Sequence, residues 1–300
     1  MKDILIDTDM GIDDIIAIAL LLNNKDINIK TISTVRGVAD LTTGTQNLAR
    51  LLTLLRETTI PIYQGFNPPQ QKLDFPKIDR QRANNLTLLK DIPLPKSPFK
   101  KICVKTLNRN LFRFLNSSTS PISILCLGPL TNIAKIIQNS TIIKKNVKQI
   151  IIMGGAIFMS GNIPPDYLCE YNIALDPNAA KIVFSSGLPI TLIATDTTNQ
   201  ARAKDKQFLK QVVLAKPQTA AGEIIKTIII NNRRDFIDFY DPLAAAILID
   251  PKIISSSKKI ILTITPDGQT IGQFNSQSLI NLVTAIDKKA FYQHLITALK

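Results

Sequence analysis

No apolar run in the 300-residue sequence approaches the roughly 18 residues that a membrane-spanning helix needs. The longest early run, Ile15 to Leu22, sits directly behind two aspartates. A secretory leader is not expected either, because Asp3, Asp7, Asp9, Asp13 and Asp14 fill the N-terminal stretch with negative charge. A cytoplasmic location and no membrane partner are therefore expected. Cysteine is scarce: Cys103, Cys126 and Cys169 form no C-x-x-C pair. An odd count without metal spacing fits neither a disulfide framework nor a zinc site, so each is expected to pack as a small apolar residue. The net charge of +13 is not gathered anywhere. The pairs Lys100-Lys101, Lys144-Lys145, Arg233-Arg234, Lys258-Lys259 and Lys288-Lys289 are dispersed, and no aromatic residues interleave with them. This describes a solvated surface and not a nucleic-acid interface.

What remains is the composition of a soluble protein with a real core, 45% hydrophobic and 20% charged. Short apolar runs alternate with segments of helical period. Ile4 to Ile6, Ile27 to Val35, Ile122 to Leu127, Val147 to Met153 and Ile190 to Ala194 read as strands. Asp13 to Asn23, Thr42 to Leu55, Pro98 to Asn116, Thr131 to Gln138 and Pro177 to Ser185 read as helices. Lys259 to Thr265, the Pro266-Asp267-Gly268 turn and Thr270 to Phe274 predict a β-hairpin, and a helix from Lys288 closes the chain. Strand–helix alternation predicts an α/β fold with a mostly parallel sheet covered on both faces, and no linker divides residues 1–300, so one domain is expected. Asn67 to Pro98, rich in Pro, Asn and Lys, is expected to be a long surface loop over or beside a site.

Four clusters carry chemistry. Asp7, Asp9, Asp13 and Asp14 lie within eight residues, after a buried strand and at the opening of a helix. Carboxyl ends of parallel strands line the ligand crevice in such folds. Carboxylates packed there repel, a divalent cation relieves the repulsion, and an all-oxygen set favours Ca²⁺ or Mg²⁺ over zinc. Helix capping accounts for one or two of the four. The second cluster is Gly128-Pro129-Leu130-Thr131-Asn132, where a turn after a strand directs backbone carbonyls towards the crevice. The third runs from Gly154-Gly155-Ala156 through Gly161-Asn162 to Glu170-Tyr171-Asn172 and Asp176-Pro177. Asn162, Glu170 and Asn172 supply donors and acceptors that suit sugar hydroxyls, while Asp176 reads as a helix cap. The fourth is Tyr240-Asp241-Pro242-Leu243, in which Asp241 reads alone as a cap or together with the first cluster as another carboxylate.

Taken together these segments resemble the inosine–uridine-preferring nucleoside hydrolase family. The likeness rests on Asp7, Asp9, Asp13 and Asp14, on Leu127 to Asn132, on Met153 to Ala156, on Gly161-Asn162, on Glu170 to Asn172 and on Asp241 to Ala244. It implies a calcium-dependent hydrolase, an N-ribosyl glycosidase that cuts ribonucleosides into ribose and free base. By position it implies that Asp9, Asp14, Asp241 and the Thr131 carbonyl hold Ca²⁺, with Asp7 supporting them. Asp9 takes a proton from the metal-bound water that attacks the anomeric carbon. Asp13, Asn162, Glu170 and Asn172 grip the ribose hydroxyls, and Tyr171 stacks on the base. The resemblance also implies a homodimer or homotetramer and a small-molecule ribonucleoside as the partner.

The sequence departs from the family pattern in four places. Tyr240 stands where a His commonly precedes the late Asp-Pro, and the stretch Leu73 to Asn85 carries no His. His294, the only histidine, lies in the terminal helix. Gly37-Val38 replaces Gly-Asn, and Met10 replaces Pro. Tyr240 is accordingly the candidate to assist departure of the base, as a hydrogen-bond donor or as an aromatic wall. Two alternatives stay open: a catalytically silent nucleoside or ribose binder on the same scaffold, and a haloacid-dehalogenase-like phosphatase. The latter also begins with a strand and Asp-x-Asp, but needs a late acidic Gly-Asp pair that is not found.

Overall fold

Ile4, Leu5 and Ile6 are all fully buried, so both faces of the first strand are covered and its run is continuously apolar. Alternate residues serve two different cores. Ile4 and Ile6 pack with Leu125, Ile151 and Ile193 under one layer of helices. Leu5 packs with Ile124, Cys126, Ile150, Ile152 and Leu192 on the other side. The computed structural model describes residues 1–69, 73–96, 104–106, 120–139, 143–202, 205–232 and 239–300.

The strands are β1 (Lys2–Thr8), β2 (Ile27–Thr34), β3 (Ile62–Gln64), β4 (Val104–Thr106), β5 (Ile122–Cys126), β6 (Val147–Met153), β7 (Ile190–Ile193), β8 (Ile254–Ile264), β9 (Thr270–Phe274) and β10 (Ile280–Ile286). They form one sheet in the order β4-β3-β2-β1-β5-β6-β7-β10-β8-β9. All pairings from β4 to β10 are parallel, and β8 joins β10 and β9 antiparallel. The chain builds outward from β1 to β4 and then returns to place β5 on the other side of β1. The strand order therefore reverses between β1 and β5, the position at which open α/β sheets bind ligands beyond their carboxyl ends. The α/β class and the C-terminal hairpin agree with the sequence reading, and Gly268 takes the left-handed conformation (φ 96°) that its turn needs.

Two local expectations need correction. Within Pro98 to Asn116, residues 104–106 are a strand paired with β3; the remainder of that expected helix, apart from 104–106, lies outside the described residues. Val104 and Thr106 are β-branched, which suits a short sheet position. The expected loop Asn67 to Pro98 contains the helix Lys77–Asn85 and a 3₁₀ turn, Thr87–Leu89. Ala83, Leu86 and Leu89 are its buried anchors. β3 and β10 carry no expectation from the sequence. Among the described residues no helix is long and apolar enough to cross a membrane.

Candidate active site

A cavity of about 340 Å³ opens at the carboxyl ends of β1, β5 and β6, over the strand-order reversal. Its size falls at the lower end of the range of ligand pockets. Asp9, Asp13, Asp14, Asn162, Glu170, Tyr171, Asn172, Tyr240 and Asp241 all line it. Asp7 and Thr131 do not.

The turn after β1 explains how the acidic residues are aimed. Met10 adopts a left-handed backbone with φ 56°, which a proline at this position could not reach. Its N–H donates to Thr8 Oγ1 at 3.0 Å, and Thr8 Oγ1 donates in turn to Asp14 Oδ1. Gly11 N–H donates to Asp14 Oδ2 at 2.9 Å, so Asp14 also caps the helix Ile12–Leu22. Asp9 is fixed from the neighbouring loop: Val38 N–H donates to Asp9 Oδ2 at 2.8 Å, and Ala39 N–H to the Asp9 carbonyl at 3.1 Å. Gly37 packs so tightly here that a Cβ would lie 1.9 Å from Asp9 Oδ2.

Asp241 arrives from the far end of the chain on the helix Tyr240–Ile249. Phe239 occupies the cap position, so capping does not use the Asp241 carboxylate, and its Oδ1 is buried without a hydrogen-bond partner. Asp13, Asp14 and Asp241 each offer an oxygen, and these atoms lie within 4.8 Å of one another. Burial and the neighbouring carboxylates raise all three, Asp13 to about 7 and Asp14 and Asp241 well above their ordinary value. Burial raises Asp9 as well. Buried hard oxygens with an unpartnered atom and mutual repulsion fit a divalent cation such as Ca²⁺ or Mg²⁺.

Asp7 lies beneath this layer. It accepts from Ser33 Oγ and, at 2.8 Å, from Asn132 Nδ2; burial pushes it up to about 7, and its Oδ2 has no partner. Thr131 opens the helix Thr131–Asn139 and turns its hydroxyl to Asp176 Oδ2 at 2.7 Å. The residue of this segment that reaches the cavity is Leu127, at the end of β5. Its carbonyl accepts from Asn172 Nδ2 at 3.2 Å. The motif was visible in the sequence, but which of its residues reaches the cavity depends on where the strand stops.

The polar residues opposite the acidic cluster divide their hydrogen bonds in a defined way. Asn172 Nδ2 donates to the Leu127 and Met153 carbonyls, each at 3.2 Å, leaving Oδ1 as an acceptor. Asn162 Oδ1 accepts from Tyr171 N–H at 3.0 Å, leaving its NH₂ as a donor. Glu170 takes Asn172 N–H on Oε1 and Gly155 and Ile173 N–H on Oε2, at 2.8–3.2 Å. A carboxylate has about four acceptor positions, so one is left. The set suits a polyol. Gly154 and Gly155 make the close turn possible with φ 157° and 85°. Thr270 of β9 locks it, accepting from Ala156 N–H at 2.9 Å and donating to the Ala156 carbonyl at 3.0 Å.

The remaining wall comes from the segment before and within the helix Lys77–Asn85; its place beside the site was expected, its helix and its lining residues were not. Phe75, Asp79 and Arg82 line the cavity, and Phe75 stacks on Tyr171 with ring centroids 4.2 Å apart. Arg80 ties this segment down, donating to Asp40 Oδ1 and the Gly37 carbonyl at 2.9 Å each and also pairing with Asp74.

The sequence profile of the inosine-uridine preferring nucleoside hydrolase family matches residues 4–293. The pyrimidine-specific ribonucleoside hydrolase RihA of Photobacterium profundum is 30% identical over 277 residues, covering 90% of this chain and 87% of that one. Uridine nucleosidase 1 of Arabidopsis thaliana is 33% identical over 209 residues, 70% of this chain and 61% of its own. Among solved structures, a purine-preferring ribonucleoside hydrolase from Gardnerella vaginalis has the same fold, with a TM-score of 0.81 at 24% identity over 99% of this chain and 98% of that one. The chain belongs to the inosine–uridine preferring nucleoside hydrolase family, and its reaction is the hydrolysis of ribonucleosides to ribose and free base.

Proposed function

We propose that this hydrolase works with one divalent cation, calcium, held by Asp14 and Asp241 beside the Leu127 carbonyl, and that Asp9 is its general base. The observation that carries the reading is the trio of carboxylates, Asp14 and Asp241 buried and Asp13 half-buried, whose oxygens lie within 4.8 Å of one another, including an Asp241 oxygen with no partner. Asp13 is close enough to share the cation or to accept from a ribose hydroxyl. A bound divalent cation supplies Lewis-acid chemistry, making water easier to deprotonate near neutral pH.

The protein's own groups do the rest. Asp9, made more basic by burial and held by Val38, accepts the proton of the attacking water. The remaining positions on Asn162, Glu170 and Asn172 orient the ribose, and the surrounding carboxylates stabilise the positive charge that grows on it as the bond to the base breaks. Phe75 and Tyr171 give the base an aromatic face, and Tyr240 presents a phenol at the same cavity. Pyrimidine ribonucleosides are the proposed substrates, supported by the names of the relatives at 30% and 33% identity. Cytoplasmic location and a homodimeric or homotetrameric assembly complete the proposal.

Ribose release from a nucleoside panel, with and without chelator, tests the reading. Uridine turnover that is lost on chelation and restored by calcium is expected. Turnover of 2′-deoxyuridine should be lower by a factor of about 10⁴, because a site built around a hydroxyl leaves its own groups unpaired without it. Full activity after exhaustive chelation, or equal turnover of both sugars, would refute the assignment.

A further inference from the structure

We propose that Asn232 is a specificity-determining residue, whose carboxamide reads the hydrogen-bonding edge of the base. The inference rests on the ribohydrolase reading above and deepens it on the base side of the same cavity.

Stacking tells bases apart poorly, because every base has a π-face. Phe75 and Tyr171 supply such a surface, and Pro76 and Leu88 add apolar lining. Discrimination therefore needs a polar side chain at the ring edge. Most polar residues of the cavity are already engaged. Asn162, Glu170 and Asn172 bond backbone groups, and Asp79 pairs with Arg82. Of the described residues lining the cavity, two keep a buried side-chain oxygen with no hydrogen-bond partner, Asp241 and Asn232. An unpaired buried acceptor is costly and rare, so each asks for a ligand that the chain does not supply. The cation proposed above answers Asp241, and the base answers Asn232.

The placement of Asn232 fits that task. It closes the helix Ala220–Asn231, its N–H donating to the Ile228 carbonyl at 3.0 Å. The preceding Asn231 staples this helix end to the turn Thr87–Leu89, with Nδ2 donating to the Leu88 carbonyl at 2.9 Å and to Asp91 Oδ2 at 3.1 Å. Leu88 itself lines the cavity, so the backbone under Asn232 is fixed on the side walled by residues 75–88 while its Oδ1 is left unheld. A carboxamide sets one acceptor beside one donor group, and turning it about Cβ–Cγ exchanges them. Uracil presents N3–H beside a ring carbonyl, and cytosine presents N3 beside an exocyclic amine. One side chain thus pairs with either pyrimidine in its two orientations, as Asn pairs bidentately with adenine in nucleic-acid recognition.

Asn232→Leu keeps nearly the size of the side chain and removes both hydrogen-bonding groups. Wild type and variant are compared on uridine, 3-methyluridine and 4-nitrophenyl riboside. Wild type should prefer uridine to 3-methyluridine by about 30-fold or more in kcat/KM, because methylation removes the proton that Oδ1 accepts. The variant should treat the two alike within about threefold, and its kcat/KM for uridine should fall by about 10- to 100-fold, the worth of one or two hydrogen bonds. Turnover of 4-nitrophenyl riboside, which has no such edge, should change by less than about threefold and so report an intact sugar half. The variant should also melt no lower than wild type, since Leu removes an oxygen that has no partner in the free protein. A variant that still rejects 3-methyluridine, that loses both substrate types equally, or that melts well below wild type would overturn the proposal. Equal turnover of uridine and 3-methyluridine by wild type would do the same. Wild-type protein inert towards uridine and 4-nitrophenyl riboside alike would overturn the ribohydrolase reading, and this inference with it.

Discussion

Asp241→Asn is expected to stabilise the metal-free protein while abolishing its response to calcium. Two unit charges 4.8 Å apart repel by about 3 kcal/mol at the effective dielectric of 20 that suits protein sites. Three such pairs approach 10 kcal/mol, comparable to the whole stability of an ordinary domain. Without a cation the trio must therefore take up protons, and Asp13, raised to about 7, Asp14 and Asp241 are all shifted in that direction. Replacing Asp241 removes two of the three pairs and leaves an amide where an oxygen has no partner. Because proton uptake already relieves part of the repulsion, the net gain should be about 1–2 kcal/mol, or roughly 2–6 °C in Tm for a chain of this size. Thermal melts in chelator, followed by calcium titration, measure both effects. Wild type should rise steadily with calcium and the variant should stay flat. An Asn variant that melts below wild type in chelator would show that repulsion does not govern this cluster.

Three further outcomes follow from the same geometry. In chelator the wild-type protein should become less stable as pH rises from about 5 to 8, because carboxyls raised by burial bind protons more tightly folded than unfolded through that window; saturating calcium should flatten the trend, and melts across pH would show it. Gly37→Ala should lower kcat by about 10²-fold or more while the protein stays folded, since a Cβ 1.9 Å from Asp9 Oδ2 must displace the proposed base; unchanged kcat would remove Asp9 from that role. Asn132→Ala should cost about 2–3 kcal/mol in denaturant unfolding, because it leaves Phe66 N–H without a partner and takes one of two hydrogen bonds each from the Thr34 carbonyl, which keeps Gly65 N–H, and from Asp7 Oδ1, which keeps Ser33 Oγ; a loss below about 0.5 kcal/mol would contradict the hydrogen-bond assignment.

The sheet and the acidic cluster were legible because they break local expectations in sequence. Aspartates immediately after a buried apolar strand cannot be ordinary surface residues, and Pro266-Asp267-Gly268 marks a turn whatever surrounds it. The helix Lys77–Asn85 left no such mark. Only Ala83 of its nine residues is buried, so no apolar stripe betrays it. Polar bonds hold it instead: Asn84 exchanges hydrogen bonds with Asp40, and Asn47 caps the Ala83 and Asn84 carbonyls. Phe75, Asp79 and Arg82 were missed with it. The motif holding Thr131 was equally conspicuous, but the cavity is lined from this segment by Leu127, while the Thr131 hydroxyl bonds Asp176.

The acidic trio also imposes an order on assembly. Asp13 and Asp14 are synthesised near the start, while Asp241 follows more than two hundred residues later on a helix that reaches back, with Lys2 Nζ donating to the Leu248 carbonyl at 3.0 Å. Thr270, which locks the Gly154-Gly155 turn, comes later still. A nascent chain can thus complete β1, β2 and most of the proposed sugar-binding residues and still lack the third carboxylate of the proposed cation site. The fold keeps its reactive centre open until the last fifth of the polypeptide is being added, so a product truncated before residue 241 can bury an apolar sheet yet has neither the trio nor the chemistry it supports.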